Sequence, residues 1–559
     1  MKTRTLLPAA LSLLLAGPAF AAQGAAADLR EAKDAAAAAR GASVLKAVSA
    51  GSALFDGARA LSGAVAEPVA VPARTAAAPN AAPKTSSPAQ AAAPSAAPAA
   101  PVVSPSPADA ISDGYLGPYP AGDFVLGTGS CPACRGPREG KWYFLDDVIA
   151  TPKSGTPAIV WIGSHELLEG VTLSADGTHA RLKDGTEIPL RLVPKIASNR
   201  SFYDASSLAY LRGRTVRIRG EFAMVGGVRT LVARTIWPED FRIDEKSIKE
   251  GGAATPDQID ALVAADKGGA TKPFQTEVLW ERSRDRDWDG KPVMGFMLNG
   301  AQGDDDESLG GHSSFFTGRM GPGGSMADWM FDNFYDMNTV SEKGIIASMV
   351  PMDKYMSDLN AGQSWYRPSY LMVMILKDDR APLRLQETFK EQYARYYAQD
   401  LKYEHTHENC AALVADPVRA DGWKFPEKGK TPRLIAEILK KIVGAAAGPE
   451  AADQVYGSLR EEPTRGFPRA SFDSAGGDML SLAGDYGADT IGRPLSPLEK
   501  EIKDDLLAVV WVRVPQIPSS RAYGRDPAGS VTDYFMRVPM DRSKWKTVPT
   551  VPRAFPPPH

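Results

Sequence analysis

Apolar positions follow three different rhythms along this chain. Behind Lys2 and Arg4, Leu6 to Gly17 is a short apolar run that ends at Ala19-Phe20-Ala21. A basic start, a short apolar stretch and an A-x-A site predict a cleavable secretory leader over 1–21. The run is too short to span a bilayer. From 22 to 66, Leu29, Val44, Leu45, Leu54 and Leu61 recur loosely at helical spacing among alanines. From 67 to 110 the chain is almost entirely Ala, Pro and Ser, without apolar rhythm. Such a stretch buries too little to offset its chain entropy, so an extended tether is expected.

From Tyr115 to Asp244 the rhythm shortens to two. Arg214-Thr-Val-Arg-Ile-Arg-Gly-Glu-Phe alternates as a half-buried strand does, and Val225-Gly-Gly-Val turns it back into Arg229-Thr-Leu-Val-Ala-Arg. Further strands are predicted at Trp142–Asp146, Ala158–Ile162, Gly170–Leu173, Ile188–Leu192, Thr215–Phe222 and Thr230–Ile236. Short strands with Gly-rich turns predict a small β-barrel-like domain over 111–248, resembling an OB-fold. A polar connector, 249–275, leads to a mixed α+β region over 276–426. Its predicted strands are Val293–Leu298, Ser313–Thr317, Gly344–Met349 and Tyr370–Leu376, with a long helix over Leu385–Gln399. The extension 427–559 carries predicted helices at Arg433–Val443 and Ala451–Leu459, and a strong strand at Leu506–Val514.

Composition changes this picture in two ways. The 559 residues carry a net charge of −3 and are 43% hydrophobic, enough for two or three cores and without the basic field that nucleic acid requires. The chain has three cysteines. Cys131 and Cys134, in Cys-Pro-Ala-Cys, can pair locally. A redox dithiol or a zinc half-site is the alternative, but zinc needs a second pair and none exists. Cys410 is then an unpaired thiol in an oxidising compartment: buried and inert, partnered between chains, or kept for chemistry.

Cys410 follows Asn409 and precedes Ala411-Ala-Leu-Val-Ala. Asn is a good N-cap and the apolar run favours helix, so the thiol is expected in a first helical turn, where N–H groups and the helix dipole favour thiolate. The same N–H groups can stabilise an acyl oxyanion. A thiolate nucleophile needs a base, and the chain has six histidines. His312, in Gly310-Gly-His312-Ser-Ser-Phe-Phe, stands at the mouth of a predicted strand. His405 and His407 form a His-Thr-His with no third metal ligand, so solvated loop histidines are expected there. Ser348 is a possible third group, although a core serine is the commoner reading.

Gly311-His312-Ser-Ser-Phe-Phe, a strand, a long helix, then Tyr403-Glu-His-Thr-His-Glu-Asn409-Cys410 with Asp416 beyond, resembles one bacterial periplasmic family. Its members are permuted papain-like thiol enzymes, some of them lipoprotein N-acyltransferases. The resemblance implies a papain-like α+β catalytic domain over 276–426 with His312 as base, Cys410 as nucleophile and Tyr403 lining the oxyanion region. It also implies an amide or ester substrate in an envelope peptide or lipoprotein, with no cofactor. Ala411-Ala412 stand where the family has small hydroxyl residues. The rival expectation is a non-catalytic secreted scaffold with a degenerate papain-like domain.

Asp285-Arg-Asp287-Trp-Asp289-Gly290 matches the first half of a calcium loop, but Phe296 takes the place of the bidentate acid. The run Asp304 to Glu307 could complete a shell. A solvated acidic turn is the expectation, and no metal site is assigned.

Overall fold

The computed structural model describes residues 166–546 apart from 194–202, 245–247, 251–254, 268, 270, 307, 335–347, 360–361, 398–400, 402, 404–406, 485–492, 531–532, 535–536 and 539–543, together with strand backbone at 141–144 and 147–150. The leader, the tether, Cys131, Cys134, His405 and the strand expected at Ala158–Ile162 lie outside the described residues. No described helix is long and apolar enough to cross a membrane.

Strands β1 (Lys141–Phe144) and β2 (Asp147–Ala150) pair as an antiparallel hairpin. Next come β3 (Glu166–Leu173), β4 (His179–Arg181), β5 (Glu187–Leu192), helix α1 (Ala205–Leu211), β6 (Val216–Val225) and β7 (Val228–Pro238). The five strands close a barrel in the order β3-β4-β5-β7-β6, with β5 and β7 parallel. Alternation turns Val216, Ile218, Leu231, Ala233 and Ile236 into its core. Asp204 caps α1 by accepting from the Ser206 and Ser207 N–H groups.

The rest of the chain builds one large sheet. Its elements, in order, are β8 (Lys249–Glu250), α2 (Ile259–Asp266), β9 (Gln275–Glu281), β10 (Pro292–Asn299), β11 (His312–Arg319), β12 (Met330–Asn333), β13 (Ser348–Pro351), α3 (Met352–Ser357), α4 (Gln363–Tyr366), β14 (Ser369–Leu376), α5 (Arg380–Tyr397), α6 (Cys410–Ala420), α7 (Arg433–Ala447), α8 (Pro449–Arg460), α9 (Pro468–Ala483), α10 (Pro497–Asp505) and β15 (Leu506–Val514). The eight strands run β13-β12-β11-β10-β14-β15-β9-β8. Every residue of β10 and β14 is buried, because both faces are covered. On one face α5, α6, α9 and α10 pack over Phe296, Phe315, Met372 and Met374. On the other, Phe316, Phe331, Val373 and Val510 meet α3 and the foot of the barrel at Trp237 and Phe241.

Two of the expected segments join the main sheet. The described part of the 427–559 extension packs into it, since β15 lies between β14 and β9 and α9 crosses the same core. Leu506–Val512 is a continuous apolar run, and only a central position hides both of its faces. The 249–275 stretch is likewise more than a connector: β8 pairs with β9, and α2 buries Ile259 and Val263 in the main core.

Charge joins the barrel to the sheet. Arg219 donates from Nε to Asp353 at 2.6 Å and Arg234 to Asp358 at 2.8 Å, all four side chains being buried. Lys354 also pairs with Asp358.

Candidate active site

Gly311 sets the start of β11. Its φ is +76°, and a Cβ there would lie 2.5 Å from the Asn299 carbonyl oxygen, so only glycine fits. The next residue, His312, opens the strand opposite Asn299. A buried polar row crosses the sheet at this end. Ser369 on β14 pairs with Asn299 on β10 and accepts its Nδ2–H at 2.7 Å, while the Tyr355 hydroxyl donates to Asn299 Oδ1 at 2.6 Å. His312 Nε2 lies 2.7 Å from Oδ1 of Asn333, the last residue of β12. With the amide oxygen toward the ring, Nε2 carries the proton and donates, which leaves the Nδ1 lone pair free of this contact.

Helix α6 begins at Cys410, as its sequence predicts. Asn409 Oδ1 accepts from the N–H groups of Ala411 at 2.9 Å and Ala412 at 3.4 Å, and Asn409 Nδ2 donates to the Gly466 carbonyl at 3.0 Å. The Cys410 N–H donates to the Tyr403 hydroxyl at 3.2 Å. All three N–H groups expected to serve an oxyanion are therefore occupied by side chains. The Leu413, Val414 and Val418 side chains carry α6 onto the Phe315 face of the sheet.

Cys410 is 5% exposed. Burial pushes the Cys410 thiol up from its ordinary value, and the Ser313 N–H, the Tyr403 hydroxyl and the Arg367 charge pull down without overcoming it. The expected acidic thiol is thus corrected: the helix start is already satisfied, and desolvation wins. Ser313 Oγ is buried beside it without a hydrogen bond of ordinary geometry. His312 is 2% exposed, and burial first, then the Arg367 charge, hold its ring down to about 3 against the Asn333 hydrogen bond. At neutral pH both groups rest uncharged.

Strand alternation puts His312 on the face of Ser314 and Phe316, whereas α6 covers the face of Ser313 and Phe315. The two groups approach from opposite faces at the open end of β11. Their shared neighbours are the Ser313 residue between them and Arg367, whose charge acts on both.

The remaining sequence candidates lie elsewhere. His407 Nδ1 pairs with Glu461 at 2.9 Å, and His179 contacts Thr178. Ser348 stands opposite Asn333 in the ladder. Asp289 accepts the Gly323 N–H and Asp285 the Ser283 hydroxyl, while Asp304 and Asp306 pair with Arg521 and Arg525. These acids do not converge on a common point. The cluster among the described residues that does, Asp378, Glu501 and Asp505, already surrounds Arg380.

Two site residues escaped the sequence reading. Asn333 ends the short strand Met330–Asn333, which had not been recognised, and Arg367 sits between Trp365-Tyr366 and Pro368-Ser-Tyr370, where a lone cation in an apolar stretch was a usable signal.

One consequence is measurable as stability. His312 in the folded chain lies at about 3, below its ordinary 6.5, so the unfolded chain takes up the proton first as pH falls. Its contribution is complete above pH 6.5 and is lost from there down to the folded value, by about 1.4 kcal/mol per unit. Urea melts at pH 7.5 and 5.0 should show wild type losing about 2 kcal/mol more than His312→Gln. Parallel losses in the two proteins would contradict the buried neutral ring.

No family model, no curated protein and no solved structure matches this chain.

Proposed function

We propose that this is an exported thiol enzyme that transfers or hydrolyses an acyl group of an envelope peptide or lipoprotein through a thioacyl intermediate. The observation that carries the reading is the bond from His312 Nε2 to Asn333 Oδ1, on the strand whose next residue, Ser313, meets a free cysteine at a capped helix start. Papain-like sites use Cys, His and Asn, with the amide fixing the ring so that its other nitrogen serves the sulfur. Here Nδ1 takes the Cys410 proton as the sulfur attacks the carbonyl carbon. The imidazolium returns that proton to the departing amine or alcohol, leaving a thioester. Water or an amine then attacks the thioester, gives its proton to His312, and the sulfur is released as thiol. Tyr403, within reach of the Cys410 N–H, lines the oxyanion side.

The papain-like assignment draws on a helix bearing Cys packed against a sheet bearing His, with His first in the chain. An OB-like assignment for the barrel draws on its strand order, the parallel β5–β7 pair and the helix before the fourth strand. The leader pattern supports export.

The non-catalytic scaffold is the second reading, favoured by the buried, deacidified sulfur and by the strand alternation that sets His312 on the other face of β11. Modification of Cys410 by iodoacetamide, followed at that residue by peptide mass spectrometry, separates the two. The enzyme reading expects His312→Ala to slow it by about tenfold or more at neutral pH. Equal rates would favour the scaffold.

A further inference from the structure

Among the described residues the buried arginines are Arg217, Arg219, Arg234, Arg367, Arg469 and Arg513. Five of them have a carboxylate partner: Arg217 and Arg219 share Asp328 and Asp353, Arg234 meets Asp358, Arg469 meets Asp260 and Arg513 meets Asp266. Arg367 has none. It is 3% exposed, and its Nε and Nη2 both donate to one neutral atom, Gln363 Oε1, at 3.0 and 2.8 Å. A buried, unneutralised guanidinium is costly unless something else supplies the anion.

Its place in the fold sets it at the His312 end of the sheet. Arg367 lies two residues before Ser369, whose hydroxyl joins Asn299, and Asn299 stands opposite His312. Pro368 fixes the intervening chain, its carbonyl accepting the Gly300 N–H at 2.8 Å. The Gln363 amide holds the guanidinium plane from one side.

We infer that Arg367 binds a carboxylate of the acyl substrate, held beside the carbonyl that Cys410 attacks. This rests on the thiol-enzyme reading and adds a substrate class to it: an acyl donor or acceptor with a free carboxylate near the reacting bond. A carboxylate fits the charge count, because one monoanion neutralises one guanidinium and its planar pair of oxygens matches the fork. A phosphate dianion would leave excess negative charge against a neutral thiol and a neutral imidazole.

The test compares two alkylating probes at Cys410, iodoacetate and iodoacetamide, which differ in a carboxylate beside the reacting carbon. In wild type the iodoacetate/iodoacetamide rate ratio should exceed that of glutathione under the same conditions. Arg367→Gln should lower the ratio by about tenfold, while Arg367→Lys keeps part of it. A guanidinium that only made the thiol more acidic would change both rates together and leave the ratio where it was. An unchanged ratio in Arg367→Gln overturns the proposal.

Should that variant not fold, wild type alone decides. Acetate should protect Cys410 from iodoacetamide more than chloride at equal ionic strength. No protection overturns the proposal, and stronger protection by inorganic phosphate than by acetate overturns the carboxylate assignment. If His312→Ala leaves the iodoacetamide rate unchanged while the ratio still depends on Arg367, the anion site stands and the acyl-transfer reading falls.

Discussion

Changing His312 to alanine should slow acylation of Cys410 by p-nitrophenyl acetate by about 10²–10⁴-fold, the range of a positioned general base. The size follows from the resting protonation. Burial raises the thiol and lowers the ring, so no preformed thiolate–imidazolium pair exists to carry the attack. The proton must move during the step, and the proposed mechanism assigns it to His312. Asn333→Ala should cost less, about tenfold, because the ring survives but loses the bond that fixes its tautomer. The wild-type rate should also show no acid limb from His312 between pH 7 and 5, since the ring titrates at about 3. Acetyl-Cys410 measured by mass spectrometry against time reports all three. Rates of wild type and His312→Ala within twofold of each other would sink the catalytic assignment.

Asp358→Ala should destabilise the protein by about 3–5 kcal/mol, the largest expected loss at the joint between barrel and sheet. Asp358 is 1% exposed and accepts from Arg234 and Lys354, themselves 3% and 5% exposed. Removing the carboxylate leaves two buried cations facing each other without their common anion. It also loosens the crossing where the Leu359 N–H donates to the Arg234 carbonyl at 2.9 Å. The opposing charges lower the Asp358 pKa, so its contribution is present at neutral pH and is lost only in acid. The double variant Arg234→Met/Asp358→Ala should recover part of the loss, because one of the stranded charges is gone. Chemical denaturation at pH 7 checks both. An Asp358→Ala loss below about 1 kcal/mol would mean that the pair is solvated and that the barrel is held by apolar contact alone.

What depends only on neighbours along the chain is legible without the fold. Val216–Val225 and Val228–Pro238 were legible as strands because alternation and a Gly-Gly turn are local facts. Asn409 announced the start of α6 because capping needs only the next few N–H groups. Leu506–Val514 was recognised as a strand to the residue. Its place was not, because β15 fills a gap between strands distant in sequence, and nothing in a run of valines names its partners. The tertiary structure alone supplied Asn333 to His312 and left Arg367 without a carboxylate among the described residues. It also reversed the expected acidity of Cys410: a helix start favours thiolate, but burial among Ser313 of β11, Arg367 and Tyr403 decides the outcome. Local chemistry named the candidate nucleophile. Burial set its charge, and burial belongs to the whole fold.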